Sequence, residues 1–252
     1  MLNCLKRAVL LGVFLCTGIA LSAQMNFGTT GLLNAPSAEM QDSGTVMLGG
    51  NFLNEEITPY PWTYHTFNYF LNVTIFPFME VAYTATMFKA KTIGIDWLVD
   101  PEKYCNQDRY FSARFRVLKE GQLWKHMPAV VIGTSDPYTE ASSGEVATAD
   151  GNGYFSRFYI VATKHLKIGT ERFGITVAYI WNNRTHNHLN GISGGITYEP
   201  SFIPNLRLIA DYDNRDFAIG ASYLLFDQLH AQFELQRFRY FTGGICYKIH
   251  LR

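Results

Sequence analysis

The side chains best placed to do chemistry in this 252-residue chain are charges set into segments where apolar and polar residues alternate. Arg114, Arg116, Arg207, Asp211, Glu234, Lys248 and His250 all fall on the polar side of such segments. Positions two apart share one face of a strand, so the alternation gathers these residues on one inner surface. Opposed charges there support two chemistries. They bind a polar solute through charge-assisted hydrogen bonds, or they pair with one another as a structural network. Asp136 is a further candidate, because Gly133-Thr134-Ser135-Asp136 closes a strand-like run where a long polar stretch begins. A turn-forming Asp that bonds its own backbone fits the same position.

Catalytic patterns are sparse. HExxH does not occur. His186 and His188, followed by Ser193, are the side chains a barrel hydrolase would use, but two histidines in the polar stretch Asn182 to Asn190 also describe a solvated loop. No Cys/His spacing suits a metal, and no cofactor is expected. Cys4 and Cys16 lie in the N-terminal stretch described next, while Cys105 and Cys246 sit in unlike contexts and make no disulfide framework. The sequons Asn72-Val73-Thr74 and Asn183-Arg184-Thr185 are read as chance matches. The chain is expected not to be an enzyme.

Lys6 and Arg7 precede an apolar run from Ala8 to Leu21, which ends in Leu21-Ser22-Ala23 before Gln24. This is the layout of a secretory signal peptide, with cleavage expected after Ala23. The apolar run is short for a membrane-spanning helix. Basic and acidic residues number 21 each, which argues against a nucleic-acid partner. Charged residues make up 17%, below the roughly 25% of soluble domains, and aromatics reach 15%. Such a chain does not face water alone.

Strand patterning runs through the rest. Phe173, Ile175, Val177, Tyr179 and Trp181 alternate with small or polar residues. So do Leu206, Leu208, Ala210 and Tyr212, then Phe217 to Leu225, Leu229 to Leu235 and Phe241 to Leu251. Segments of about 9 to 12 residues exceed ordinary soluble strands and match membrane-spanning ones. Aromatics near their ends suit interfacial girdles. Twelve segments are expected, starting near Gly44, His65, Met79, Gln107, Met127, Gly153, Arg172, His188, Asn205, Arg215, Gln228 and Arg239. Connections alternate, the long ones being Leu53 to Tyr64, Lys89 to Asn106 and Ser135 to Asn152. Phe76-Pro77-Phe78 and Phe226-Asp227 are among the tight ones. Outer-membrane barrels have this parity, with short turns and both termini on the periplasmic side.

The expected architecture is therefore all-β: an antiparallel transmembrane β-barrel of about 12 strands in the bacterial outer membrane, surrounded by its lipids. Residues 1–23 form the signal peptide, 24–43 an N-terminal segment or lumen plug, and 44–252 the barrel. The plug is favoured over a linker because Gly31-Leu32-Leu33 is more apolar than a solvated tail requires.

The stretch Gly31-Leu32-Leu33-Asn34-Ala35-Pro36-Ser37-Ala38-Glu39-Met40, with Asp42 and Gly44, resembles the N-terminal signature of the YjbH-type outer-membrane proteins. Within it Gly31, Leu32, Pro36, Ala38 and Gly44 carry the likeness. Phe111 to Gly121, Pro128 to Asp136 and Phe155 to His165 follow in the family's order. The resemblance implies a role in exopolysaccharide or capsule export or assembly, with polysaccharide and periplasmic or lipoprotein components as partners. Arg114, Arg116, Asp136, Arg207, Asp211 and Glu234 are then the candidate glycan contacts. The alternative is a general channel for small or amphipathic solutes. Family members are often longer, whereas this chain has room for one barrel.

Overall fold

A computed structural model describes residues 23–58, 63–89, 104–137, 155–182 and 189–251, the side chains of residues 105 and 106 excepted. Residues 1–22 of the signal-peptide stretch, His186 and His188, and the second sequon lie outside the described residues. Twelve strands make up the wall: β1 (Thr45–Leu53), β2 (Thr66–Phe76), β3 (Met79–Lys89), β4 (Tyr104–Leu118), β5 (Ala129–Ser135), β6 (Arg157–Ile168), β7 (Glu171–Trp181), β8 (Gly191–Glu199), β9 (Leu206–Tyr212), β10 (Phe217–Leu225), β11 (Leu229–Gln236) and β12 (Tyr240–His250). Each strand pairs antiparallel with its sequence neighbours, and β1 closes on β12 from Thr45↔His250 to Phe52↔Gly243. Closure leaves no exposed edge, as a hydrocarbon surrounding requires.

The strands coincide with the twelve segments of the alternation pattern. The largest difference is the sixth, where the pattern starts at Gly153 and the strand at Arg157. An eleven-residue strand such as β2, rising about 3.4 Å per residue and tilted about 45°, covers about 25 Å along the barrel axis, the height of a barrel's apolar band. The outward positions are large and apolar. Ile175, Val177, Tyr179 and Trp181 are exposed along β7, as are Phe241, Ile245, Tyr247 and Ile249 along β12. Aromatic pairs mark both ends of the wall. Phe158 and Trp181 stack at the long-loop end, and Phe173 stacks on Tyr198 at the short-turn end with centroids 4.9 Å apart. Phe78, Trp124, Ile168, Phe202 and Phe226 are exposed on or beside the five short connections, at headgroup depth for a barrel embedded this way.

The wall face therefore carries a prediction. Ile245 sits halfway along β12 and is 61% exposed on the outer surface. Ile245→Arg should destabilise the folded barrel by about 2–4 kcal/mol, the cost of a basic side chain at the bilayer midplane. Urea titration in lipid vesicles measures it, and a loss below about 0.5 kcal/mol would contradict the embedded orientation.

Two hairpins turn without glycine. Phe226 and Asp227 between β10 and β11, and Arg237 and Phe238 between β11 and β12, all have φ between 51° and 59°. Two consecutive left-handed residues form a type I′ turn, whose twist matches that of paired strands. Gly44 is a different case. Its φ is +79°, its N–H donates to the Thr74 carbonyl at 2.8 Å, and its carbonyl accepts from Leu251 at 2.8 Å. A side chain there would meet the Leu251 carbonyl, so glycine suits the point where the chain leaves the lumen and enters the wall.

Candidate functional site

The lumen is filled by the chain's own N-terminal segment. Residues 23–41 are buried, apart from a half-buried Glu39. The segment has little secondary structure. Single bridges join Gln24 to Thr30 and Gly31 to Pro36, and Asn26 N–H donates to the Leu33 carbonyl at 3.0 Å. So compact a coil leaves many backbone groups unpaired internally, and in a buried setting they need partners. The inner wall supplies them on all sides.

Asp211 Oδ2 on β9 accepts three successive backbone N–H groups, from Leu33 at 3.1 Å, Asn34 at 2.8 Å and Ala35 at 2.9 Å. This is an anion in a concave nest of backbone donors. Glu234 on β11 takes one side-chain amide on each oxygen, Asn34 on Oε1 and Asn26 on Oε2, both at 3.0 Å. Glu80 on β3 accepts from Thr30 N–H and from Asn72, each at 2.8 Å, and pairs with Arg114 at 3.1 Å. Arg114 on β4 in turn donates to the Ser37 and Glu39 carbonyls. Asn51 and Asn68 both donate to the Asn26 carbonyl, Asn72 to Gly28 and Thr84 to Phe27. Ala38 N–H reaches Thr163 Oγ1 on β6 at 2.8 Å.

A second network holds the segment near the short-turn end. Arg207 on β9 grips Glu39 with both terminal nitrogens, at 2.5 and 3.0 Å, and its Nε donates to Glu199 at 2.9 Å. His165 on β6 lies between two carboxylates, with Nε2 2.7 Å from Glu39 and Nδ1 2.7 Å from Glu120. Burial by itself raises the Glu39 carboxyl. Arg207 first and then His165 more than reverse this, holding it at about 2. The sign follows from the depressed value. The stabilisation from Glu39 is complete above its usual 4.5 and is lost as the pH falls to about 2. Resistance of residues 24–41 to protease should therefore hold at pH ~5 and weaken steadily toward pH ~2, and Glu39→Gln should abolish that acid dependence. An unchanged acid profile in Glu39→Gln would remove Glu39 as the latch.

Apolar contacts complete the fit. Leu32 and Leu33 pack with Ile209 and Ala218, and Ala38 and Met40 with Val131, Tyr159, Val161 and Ile180. Met25 and Phe27 join Leu53, Ile57, Phe88, Tyr110 and Phe155 in a cluster toward the long-loop end. The Arg157 guanidinium sits 4.7 Å from the Phe27 ring centroid.

Arg114, Arg207, Asp211 and Glu234 thus converge on the segment, and in this structure their polar groups serve the chain itself. Arg116 is partly exposed on the inner wall, and His250 is exposed at the short-turn end beside Thr45, 3.1 Å away. Asp136 follows β5 with φ 49°, is buried, and its N–H donates to the Phe111 carbonyl at 2.8 Å. The signature residues act in the segment: Gly31 and Pro36 close its second bridge, Leu32 and Ala38 pack on the wall, and Gly44 forms the exit. Cys246 is a free, buried thiol. Ser193 is buried on β8, and among the described residues no group of three or more His, Cys, Asp or Glu could hold a metal.

Sequence reasoning missed Glu80, Glu39, Glu199 and His165 as site residues. Glu80 had a usable signal, since it shares a face with Ala82, Thr84 and Thr86 along β3. Glu39 had none, because the segment carrying it is aperiodic.

A search of curated proteins finds no match. Among solved structures, the chain is similar to the Salmonella typhi outer membrane phospholipase (OMPLA), a dimer crystallised with bound calcium. Identity is 11% and the TM-score 0.34, over 82% of this chain and 90% of that one. A family model, YjbH, described as "Exopolysaccharide biosynthesis protein YbjH", matches residues 23–251, from the first buried residue of the lumen segment to the end of the last strand. With nearly the whole of plug and barrel inside that match, the chain belongs to the YjbH exopolysaccharide biosynthesis family.

Proposed function

We propose that this protein is a closed, non-enzymatic barrel of the bacterial outer membrane that serves export or assembly of exopolysaccharide. Family membership supports the glycan role, and the apolar outer wall supports the membrane setting. The observation that carries the mechanism is the lumen segment, whose backbone is engaged by Asp211, Glu80 and Arg114 from three separate strands. A barrel plugged this way acts as a platform or as a gated passage. A general solute channel needs a continuous lumen, and the buried segment stands against that reading. Periplasmic or lipoprotein components of a secretion complex would meet the barrel at its short-turn end.

The test is surface and periplasmic polysaccharide in a deletion strain, with and without the gene restored. Loss of surface glycan with periplasmic accumulation, reversed by the gene, is the result expected for export. Loss without accumulation places the protein in assembly. Unchanged glycan in both compartments, under conditions where the gene is expressed, would overturn the proposal.

A further inference from the structure

One patch of the inner wall does not serve the lumen segment. Ser222 on β10 lies opposite Gln232 on β11, and His230 is two residues from Gln232 on the same face. Lys248 is two residues beyond Cys246, the partner of His230 on β12. All four side chains are more than nine-tenths buried. Yet Ser222 Oγ, His230 Nε2 and both amide atoms of Gln232 have no hydrogen-bond partner. The Lys248 ammonium makes no ion pair with any described residue. Its neighbouring acids, Asp42 and Asp227, act on it only at longer range.

The contrast with the rest of the wall is informative. Asp211, Glu234, Glu80 and Arg114 are buried too, and although Asp211 Oδ1 and Arg114 Nε lack a partner, each of these four side chains bonds the segment, as none in the patch does. A buried polar atom without a partner keeps its full desolvation cost, so four of them beside an unpaired cation form an expensive patch. Packing alone does not call for it, since Met47, Phe70 and Cys246 fill the adjoining wall with apolar contacts. Asp42, Ser43 and His250, around the same short-turn end, are exposed to solvent.

We infer that Ser222, His230, Gln232 and Lys248 form a binding site for a carboxylate-bearing saccharide, entered from the short-turn end of the lumen. The groups match that ligand in kind. A primary amide both donates and accepts, as a hydroxyl does, so Gln232 and Ser222 suit the hydroxyls of a sugar ring. Lys248 suits a carboxylate attached to the same ring. A neutral sugar would leave the ammonium uncompensated. Arg207, the neighbouring cation opposite Ser222, is already engaged by Glu39 and Glu199. The inference rests on the exopolysaccharide reading and narrows it to acidic glycan.

Calorimetry on the purified full barrel in detergent micelles tests it, with trigalacturonate, maltotriose and inorganic phosphate as probes. Trigalacturonate should bind at least about tenfold more tightly than maltotriose or phosphate, and Lys248→Met and Gln232→Leu should each weaken it about tenfold. Lys248→Arg keeps the charge and should keep most of the binding, which separates loss of the site from loss of fold. Equal binding of trigalacturonate and maltotriose, or of phosphate and trigalacturonate, would overturn the inference. So would the absence of trigalacturonate binding, or wild-type affinity in Lys248→Met. These outcomes leave the glycan phenotype of the deletion strain untouched, and that phenotype decides the broader proposal separately.

Discussion

Removal of residues 24–41 should turn a closed barrel into a conducting one. Twelve strands enclose a lumen between the side-chain-filled eight-strand barrels and the open porins. Here the space is taken by the segment, and the wall behind it is polar, with Asn51, Asn68, Asn72, Glu80, Arg114, Arg207, Asp211 and Glu234 facing inward. Without the segment these groups hydrate, and a hydrated lumen passes ions. Single-channel recordings in planar bilayers should show the intact protein mostly silent and the deletion variant conducting at a level higher by about an order of magnitude or more. Because the segment contributes to stability, the deletion variant should also unfold at lower urea. A silent deletion variant that still migrates as a folded barrel would mean that the remaining chain closes the lumen by itself.

Arg207→Met should cause the largest loss of stability for a single change. The guanidinium of Arg207 is fully buried and serves two carboxylates, Glu39 from the segment and Glu199 from β8. Removing the cation leaves both acids in the lumen without their main partner. Breaking a buried pair from one side costs about 3–5 kcal/mol, most of it the desolvation of what remains. The double variant Arg207→Met with Glu39→Gln should recover part of that loss, since one stranded charge goes with it. Urea unfolding in micelles measures both. Additive losses in the double variant would show that Arg207 and Glu39 do not act as a pair.

The wall of this protein was far more legible in its sequence than its contents. A two-residue period states directly which side chains face lipid and which face inward, so Arg114, Arg207, Asp211 and Glu234 could be assigned to the lumen from alternation alone. Their partners could not. Asp211 is satisfied by the backbone of Leu33, Asn34 and Ala35, and a backbone donor leaves no trace in residue identity. Glu39 meets Arg207 across 168 positions and His165 across 126, through a coil without period. Composition hinted at the plug through Leu32 and Leu33, which now pack on Ile209 and Ala218. Strand starts drifted most at Gly153, Gln107 and His188, where long connections offer no tight turn to fix the register. Asp136 drew notice as a strand-end acid, and the structure places it just after β5, in a left-handed backbone position where Asp is better tolerated than most residues.

Closure of the lumen is read most directly by thiol labelling in intact outer membranes. With Cys105 and Cys246 replaced by serine and alanine, single cysteines at Leu33 in the segment and at Ser201 in an exposed short turn are treated with a membrane-impermeant maleimide from the periplasmic side. Leu33→Cys should stay protected while Ser201→Cys reacts readily, and Leu33→Cys should become reactive when Arg207→Met and Asp211→Ala are added. Equal reactivity of the two positions in the otherwise unaltered barrel would contradict a segment held inside the wall.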